Sequence, residues 1–113
     1  VTGVQTCALP IYFCIVLTTA SSDETVRRIV DRMLADRLAA CVQVMPVESH
    51  YVWKGAVQRD AEKLLLLKAK SADYPAIEAA IRAVHDYETP EIVKLDMADA
   101  SKAYLDWILS VTR

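Results

Sequence analysis

The sequence predicts an α+β fold in which the elements follow the order strand, helix, strand, strand, helix, strand, with a further helix at the end. Three observations carry this. Two segments repeat apolar residues at helical three- and four-residue steps, one after Ser21-Ser22 and one after Asp73. Between them lie two β-patterned segments joined at Lys54-Gly55, the signature of an antiparallel hairpin. The run Leu64-Leu65-Leu66-Leu67 sets two leucines on each side of one strand, so both faces of the sheet must be covered.

In chain order, Ile11 to Thr19 are mostly apolar and β-branched and stop at Ser21-Ser22, which reads as a central strand. Ser21-Ser22-Asp23-Glu24 has the form of a capping box, with a serine oxygen taking a free amide and Glu24 reaching back. The helix it opens carries Val26, Ile29, Val30, Met33, Leu34 and Leu38 on one side, with Arg27, Arg28, Asp31, Arg32 and Asp36 on the other. Ala39 to Trp53 read as a long strand with a break near Pro46. After the Lys54-Gly55 turn, Val57 to Lys70 return as its partner. Asp73-Tyr74-Pro75 opens the second helix, with Ile77, Ile81 and Val84 as its stripe and an end near His85. Past Pro90, the alternation of Val93, Leu95 and Met97 predicts a last strand with those residues facing inward. Ser101 then caps a short helix with Tyr104, Trp107, Ile108 and Val111 on one face.

This order is the split βαβ, or ferredoxin-like, arrangement. Right-handed crossovers put both main helices on one side of such a sheet, leaving a leucine-bearing face bare. That patch exceeds what soluble monomers tolerate, so an obligate homo-oligomer is expected. Residues 11–113 form one domain. Residues 1–10 show no clean period of either kind and are expected to be a tail, disordered or foreign to the natural protein.

Composition narrows the function. Thirteen basic against fifteen acidic residues give a net charge of -2, so neither nucleic acid nor an anionic membrane is an expected partner. The uncharged N-terminal stretch lacks a basic start and is interrupted by Pro10, so it is read as neither a signal peptide nor a membrane span. Cys7, Cys14 and Cys41 form no CxxC pair and their number is odd, which fits a reducing compartment. With two glycines in the chain a phosphate-cradling loop is excluded, and no G-x-S-x-G or H-E-x-x-H occurs.

His50 and His85 are the only histidines. His50 is read as an edge or surface residue. His85, followed by Asp86, Tyr87 and Glu88, leaves two readings open: a cap on the helix it ends, or one nitrogen of a mixed nitrogen and oxygen cation site completed by a second subunit. Tyr51, Trp53, Tyr87, Tyr104 and Trp107 either line a pocket or belong to core and interface.

Several spaced motifs remain: Leu38-Ala39-Ala40-Cys41-Val42, Ser49-x-Tyr51-x-Trp53-x-Gly55, Glu62, Lys68, His85-x-Tyr87-Glu88-x-Pro90-Glu91-Ile92 and Tyr104-x-x-Trp107. Together, from about Ile15 to Trp107, they resemble the CutA divalent-cation tolerance family. The resemblance implies a ferredoxin-like fold, a homotrimer with strands pairing between subunits, a cytoplasmic location, an association with copper and other divalent cations, no organic cofactor and no enzymatic activity. Some members place a cysteine where this chain has Thr18 and a histidine where it has Val84, which leaves His85 as the carried-over metal ligand and implies weak copper binding. Tyr51, Trp53, Lys68, Tyr87 and Glu88 are expected to shape a cleft between subunits. The family's architectural likeness to nitrogen-regulatory trimers implies an alternative, a signalling module for a small molecule or a protein partner.

Overall fold

The computed structural model describes residues 11–113, so the expectation for residues 1–10 lies outside the described residues. Strand β1 (Phe13–Ala20) leads to helix α1 (Asp23–Ala35), then to the hairpin of β2 (Cys41–Trp53) and β3 (Ala56–Lys70). A 3₁₀ turn (Ser71–Asp73) passes into α2 (Tyr74–Val84), followed by β4 (Ile92–Asp96) and α3 (Lys102–Val111). The four strands form one antiparallel sheet in the order β2-β3-β1-β4. Among the described residues, no helix is long and apolar enough to cross a membrane.

Local chemistry explains the helix starts. Ser22 caps α1, its Oγ accepting the Thr25 amide at 3.1 Å. The expected box is thus shifted by one residue: Thr25 stands at its third position and takes the Ser22 hydroxyl at 2.8 Å. Glu24 instead turns outward to Arg28. Ser101 caps α3 as expected, accepting the Tyr104 amide at 3.3 Å. Pro75 sits in the first turn of α2, where no intrahelical donor is lost.

Helices α1 and α2 cover one face of the sheet. Ile29, Met33, Ile77 and Ile81 pack there on Cys14, Val16, Leu65, Leu67 and Ala69, all fully buried. At the end of α1 the Leu38 amide reaches the Met33 carbonyl (2.9 Å) and the Arg37 amide the Leu34 carbonyl (3.2 Å), a Schellman motif with Arg37 in the left-handed region at φ 54°.

Two further expectations are corrected. Strand β2 runs unbroken through Pro46, which stays in register opposite Lys63. The strand lies at the sheet edge, where a residue without an amide hydrogen need not cost a ladder bond. The alternation of Val93 and Leu95 is present, but on the face away from the main helices. They lie beside Leu17 and Ile15, while Ile92 and Lys94 lie beside the buried Thr18 and Val16. Alternation marks that a strand has two unlike faces; which one meets the helices is decided by pairing with β1.

The second face of the sheet therefore carries Ile15, Leu17, Met45, Leu64, Leu66, Val93 and Leu95. Helix α3 covers one end of it, where Lys68 Nζ lies 5.8 Å from the centre of the Tyr104 ring. The chain end is tied down by Arg37, whose side chain donates to the Val111 and Thr112 carbonyls at 3.2 and 3.3 Å. Met45, Val93 and Leu95 remain 48%, 41% and 47% exposed.

The hairpin reaches past the rest of the sheet. β1 pairs with β3 only from Lys63 to Lys70, so residues 56–62 have β2 as their one strand partner. The molecule measures 58 × 28 × 23 Å. At the tip, Lys54 (φ 51°) and Gly55 (φ 80°) have the two positive φ angles of a type I′ turn, whose twist suits the flanking strands.

Candidate functional site

The loop from His85 to Glu91 leaves the end of α2 and runs along the hairpin. His85 starts it: its amide closes the helix on Ile81 (2.9 Å), then ψ opens to 144°. Its imidazole is fully buried and both ring nitrogens are used. Nδ1 accepts the Tyr87 amide hydrogen at 3.1 Å, and Nε2 lies 2.7 Å from the Thr19 carbonyl, to which it must donate. These two bonds define the neutral tautomer with its proton on Nε2, so the nearby Asp86 carboxylate, 3.4 Å from Nδ1, is a neighbour rather than an ion pair.

Tyr87 stacks obliquely on that ring, with centroids 4.5 Å apart. Its hydroxyl donates to Glu62 Oε2 at 2.6 Å. Glu62, on the strand opposite Val47, is only 7% exposed. Burial, and then the bond to a carboxylate, push the Tyr87 phenol up to about 12. Further out on the hairpin the Tyr51 hydroxyl donates to Asp60, and that contact raises its pKa in turn. At the tip, Lys54 Nζ lies 5.6 Å from the Trp53 ring centre and 3.9 Å from Glu88.

Loop and hairpin enclose an open cleft of about 820 Å³. Its lining includes the rings of Tyr51, Trp53 and Tyr87 and the carboxylates Glu48, Glu62, Asp86, Glu88 and Glu91. His50 is at its rim, half exposed and 3.1 Å from Glu48. Among the described residues, no lysine or arginine is part of the lining. The arrangement suits the binding of cationic groups.

Of the residues expected to shape a cleft, Tyr51, Trp53, Tyr87 and Glu88 come together. Lys68 does not join them. It lies six residues along β3 from Glu62, about 20 Å at strand rise, where it donates to Gln43 at 2.8 Å and covers Tyr104. His85 lies behind Tyr87 as a support and offers no free ring nitrogen. Sequence reasoning did not assign Glu62, Asp60 or Glu48 to the site. The available signal was the spacing of Asp60 and Glu62, which puts both on the face shared with Tyr51.

A cation site was tested against the same geometry. Among the described residues, no three of His, Cys, Asp and Glu converge to hold a metal ion. With the His85 lone pair taken by an amide, the donors facing the cleft are mainly carboxylate oxygens, which suit hard cations, with the half-exposed His50 ring at the rim as the one imidazole among the described lining residues. The residues do not fit an assembled copper centre within one chain.

Comparison with known proteins agrees with the motifs. Residues 14–111 match the family profile described as CutA1 divalent ion tolerance protein. The divalent-cation tolerance protein CutA of Thermus thermophilus is 41% identical over 95 residues, covering 83% of this chain and 92% of that protein. Its crystal structure superposes with a TM-score of 0.85 at 39% identity, over 89% of this chain and 99% of that one. CutA1 from Oryza sativa superposes with a TM-score of 0.87 at 34% identity, over 91% and 95% of the two chains. Some relatives are longer: the chain spans about half the length of the human protein CutA, to which it is 35% identical over 95 residues. The chain belongs to the CutA1 divalent ion tolerance protein family.

Proposed function

We propose that this chain is a cytoplasmic, non-enzymatic, ferredoxin-like homotrimer that takes part in the response to divalent cations, copper among them, through weak contacts at clefts along its hairpins. The assembly is supported by the apolar second face of the sheet, with Met45, Val93 and Leu95 uncovered at its edges, and by a two-stranded ribbon too thin to be stable alone in water. A non-enzymatic role is consistent with the Tyr51 and Tyr87 hydroxyls, which are committed to Asp60 and Glu62. A reducing location is consistent with Cys14 and Cys41, which are free thiols.

The single observation that carries the reading is the cleft lining, five carboxylates with, among the described residues, no lysine or arginine beside them. Cations meet Glu88 and its neighbours there, while His85 holds the loop. Calorimetric titration with Cu(II) tests this. Weak binding that Glu88→Gln diminishes and His85→Gln preserves is expected, because glutamine retains both a donor for Thr19 and an acceptor for the Tyr87 amide. Tight stoichiometric binding that disappears in His85→Gln would overturn it.

The signalling alternative, a module for a small molecule, is favoured by one feature the cation reading does not need: three aromatic rings in a cleft of about 820 Å³.

A further inference from the structure

We infer that the cleft between the hairpin and the His85–Glu91 loop binds a linear aliphatic polyamine, an inference that rests on the reading of this cleft as the ligand site and names its ligand class. Of the carboxylates and aromatic faces here, a metal ion would use the carboxylates alone. An alkylammonium chain also uses aromatic faces, for cation–π contact at its charged ends and apolar contact along its methylenes. The cleft supplies both, with Tyr51, Trp53 and Tyr87 beside Glu62 and Glu88.

Two further observations point to such a ligand. Lys54 is a built-in example of it: an ammonium on a four-carbon stem lies 5.6 Å from the Trp53 ring centre and 3.9 Å from Glu88, at the outer end of the cleft. The wall therefore accepts a primary ammonium in this geometry, and a longer amine entering the cleft would replace Lys54 there. At the inner end Glu62 is 7% exposed, and among the described residues its hydrogen-bond donor is the Tyr87 hydroxyl, with no lysine or arginine paired to it. The Tyr87 hydroxyl takes one Glu62 oxygen, Oε2, which leaves Oε1 to accept from an ammonium in the cleft. Asp60 and Glu62 share one face of β3 and Glu88 lies beside Lys54 at the tip, about 20 Å from Glu62 at strand rise, so carboxylates stand at both ends of the ribbon. Carboxylates so placed favour several ammonium groups joined in line over one compact cation.

The test is calorimetric titration of the full chain with spermine, with oligomeric state followed by light scattering in the same samples. Spermine is expected to bind, with Glu62→Gln and Glu88→Gln each weakening it about tenfold, as for the loss of a charge-assisted hydrogen bond. Trp53→Ala is expected to weaken binding several-fold. Lys54→Gln should tighten it by removing the internal competitor, whereas Lys102→Gln, which removes the same charge on α3, should leave it unchanged. No binding, or binding indifferent to Glu62, Glu88 and Trp53, would overturn the inference. So would equal tightening by Lys54→Gln and Lys102→Gln, which would reduce the effect to net charge. A Cu(II) response that persists without spermine binding sinks only the polyamine inference; loss of the Cu(II) response and of the trimer sinks the cation reading.

Discussion

Changing Tyr87 to phenylalanine removes one oxygen atom and leaves the ring on His85, which makes it a clean probe of the polar chain behind the cleft. The hydroxyl is a donor to Glu62, a carboxylate 7% exposed, over 2.6 Å. Its loss leaves a shielded charge without that partner, at a cost of about 1.5–3 kcal/mol for a bond to a charged group. The pH dependence reports burial of the phenol and its bond to Glu62 together. The phenol rises from 10.0 to about 12 on folding, which at 1.36 kcal/mol per unit is about 2.7 kcal/mol, reduced by solvent screening to about 1–2 kcal/mol. Because the folded chain holds this proton more tightly, the contribution is complete below pH 10 and lost as the pH rises through about 12. Urea unfolding at fixed protein concentration, repeated from pH 8 to pH 12, should therefore show the wild-type chain losing its advantage over Tyr87→Phe in that window. A double-mutant cycle with Glu62→Gln at neutral pH should return a coupling above about 1 kcal/mol. Parallel pH profiles together with a coupling near zero would show that the two side chains are adjacent without being bonded.

Two other substitutions test the surroundings. Val93→Glu changes a residue 41% exposed in the single chain, so an isolated monomer should tolerate it within about 0.5 kcal/mol; in the proposed trimer it buries a charge, and light scattering should report dissociation, while an intact trimer would exclude this face from the interface. Gly55→Ala meets nothing within 4 Å but must keep a φ of +80°, so it should cost about 1–2 kcal/mol of backbone strain, seen as faster amide exchange at the hairpin tip; unchanged exchange would rule out the type I′ turn.

The elements were legible because their signals are local. Ser101 sits at the start of α3, Lys54-Gly55 at the turn, and the periodic apolar residues of α1 and α2 along their buried sides, except Leu34, which is 47% exposed near the end of α1. What depends on pairing was harder to read. Pro46 looks like a break until β2 is known to be the outer strand, and Val93 looks inward until β4 is set against β1. The site divided in the same way. Tyr51, Trp53, Tyr87 and Glu88, expected together on the family resemblance, line one cleft, whereas Glu62 becomes notable only when its burial is known. Lys68 shares a face with Glu62, but being on the same face of a strand carries no information about distance along it.

The fate of His85 shows why a spacing that reads as a metal motif can have another cause. In His85-x-Tyr87 the interval of two residues lets the Tyr87 amide reach back to Nδ1, while the extended ψ at His85 turns the chain away from α2. Nε2 meanwhile fastens the ring to the end of β1 through Thr19. One imidazole thus ties helix, strand and loop, and Tyr87 passes the connection on to Glu62 in the hairpin. A loop anchored in this way holds its aromatic and acidic side chains in place before any ligand arrives, and so less ordering entropy opposes binding. Removing the imidazole would consequently weaken any ligand of the cleft without its ever having touched one, so an alanine at position 85 cannot separate support from ligation. Glutamine at that position offers a donor for the Thr19 carbonyl and an acceptor for the Tyr87 amide while removing the metal-binding nitrogen, which makes it the substitution that decides between the two roles.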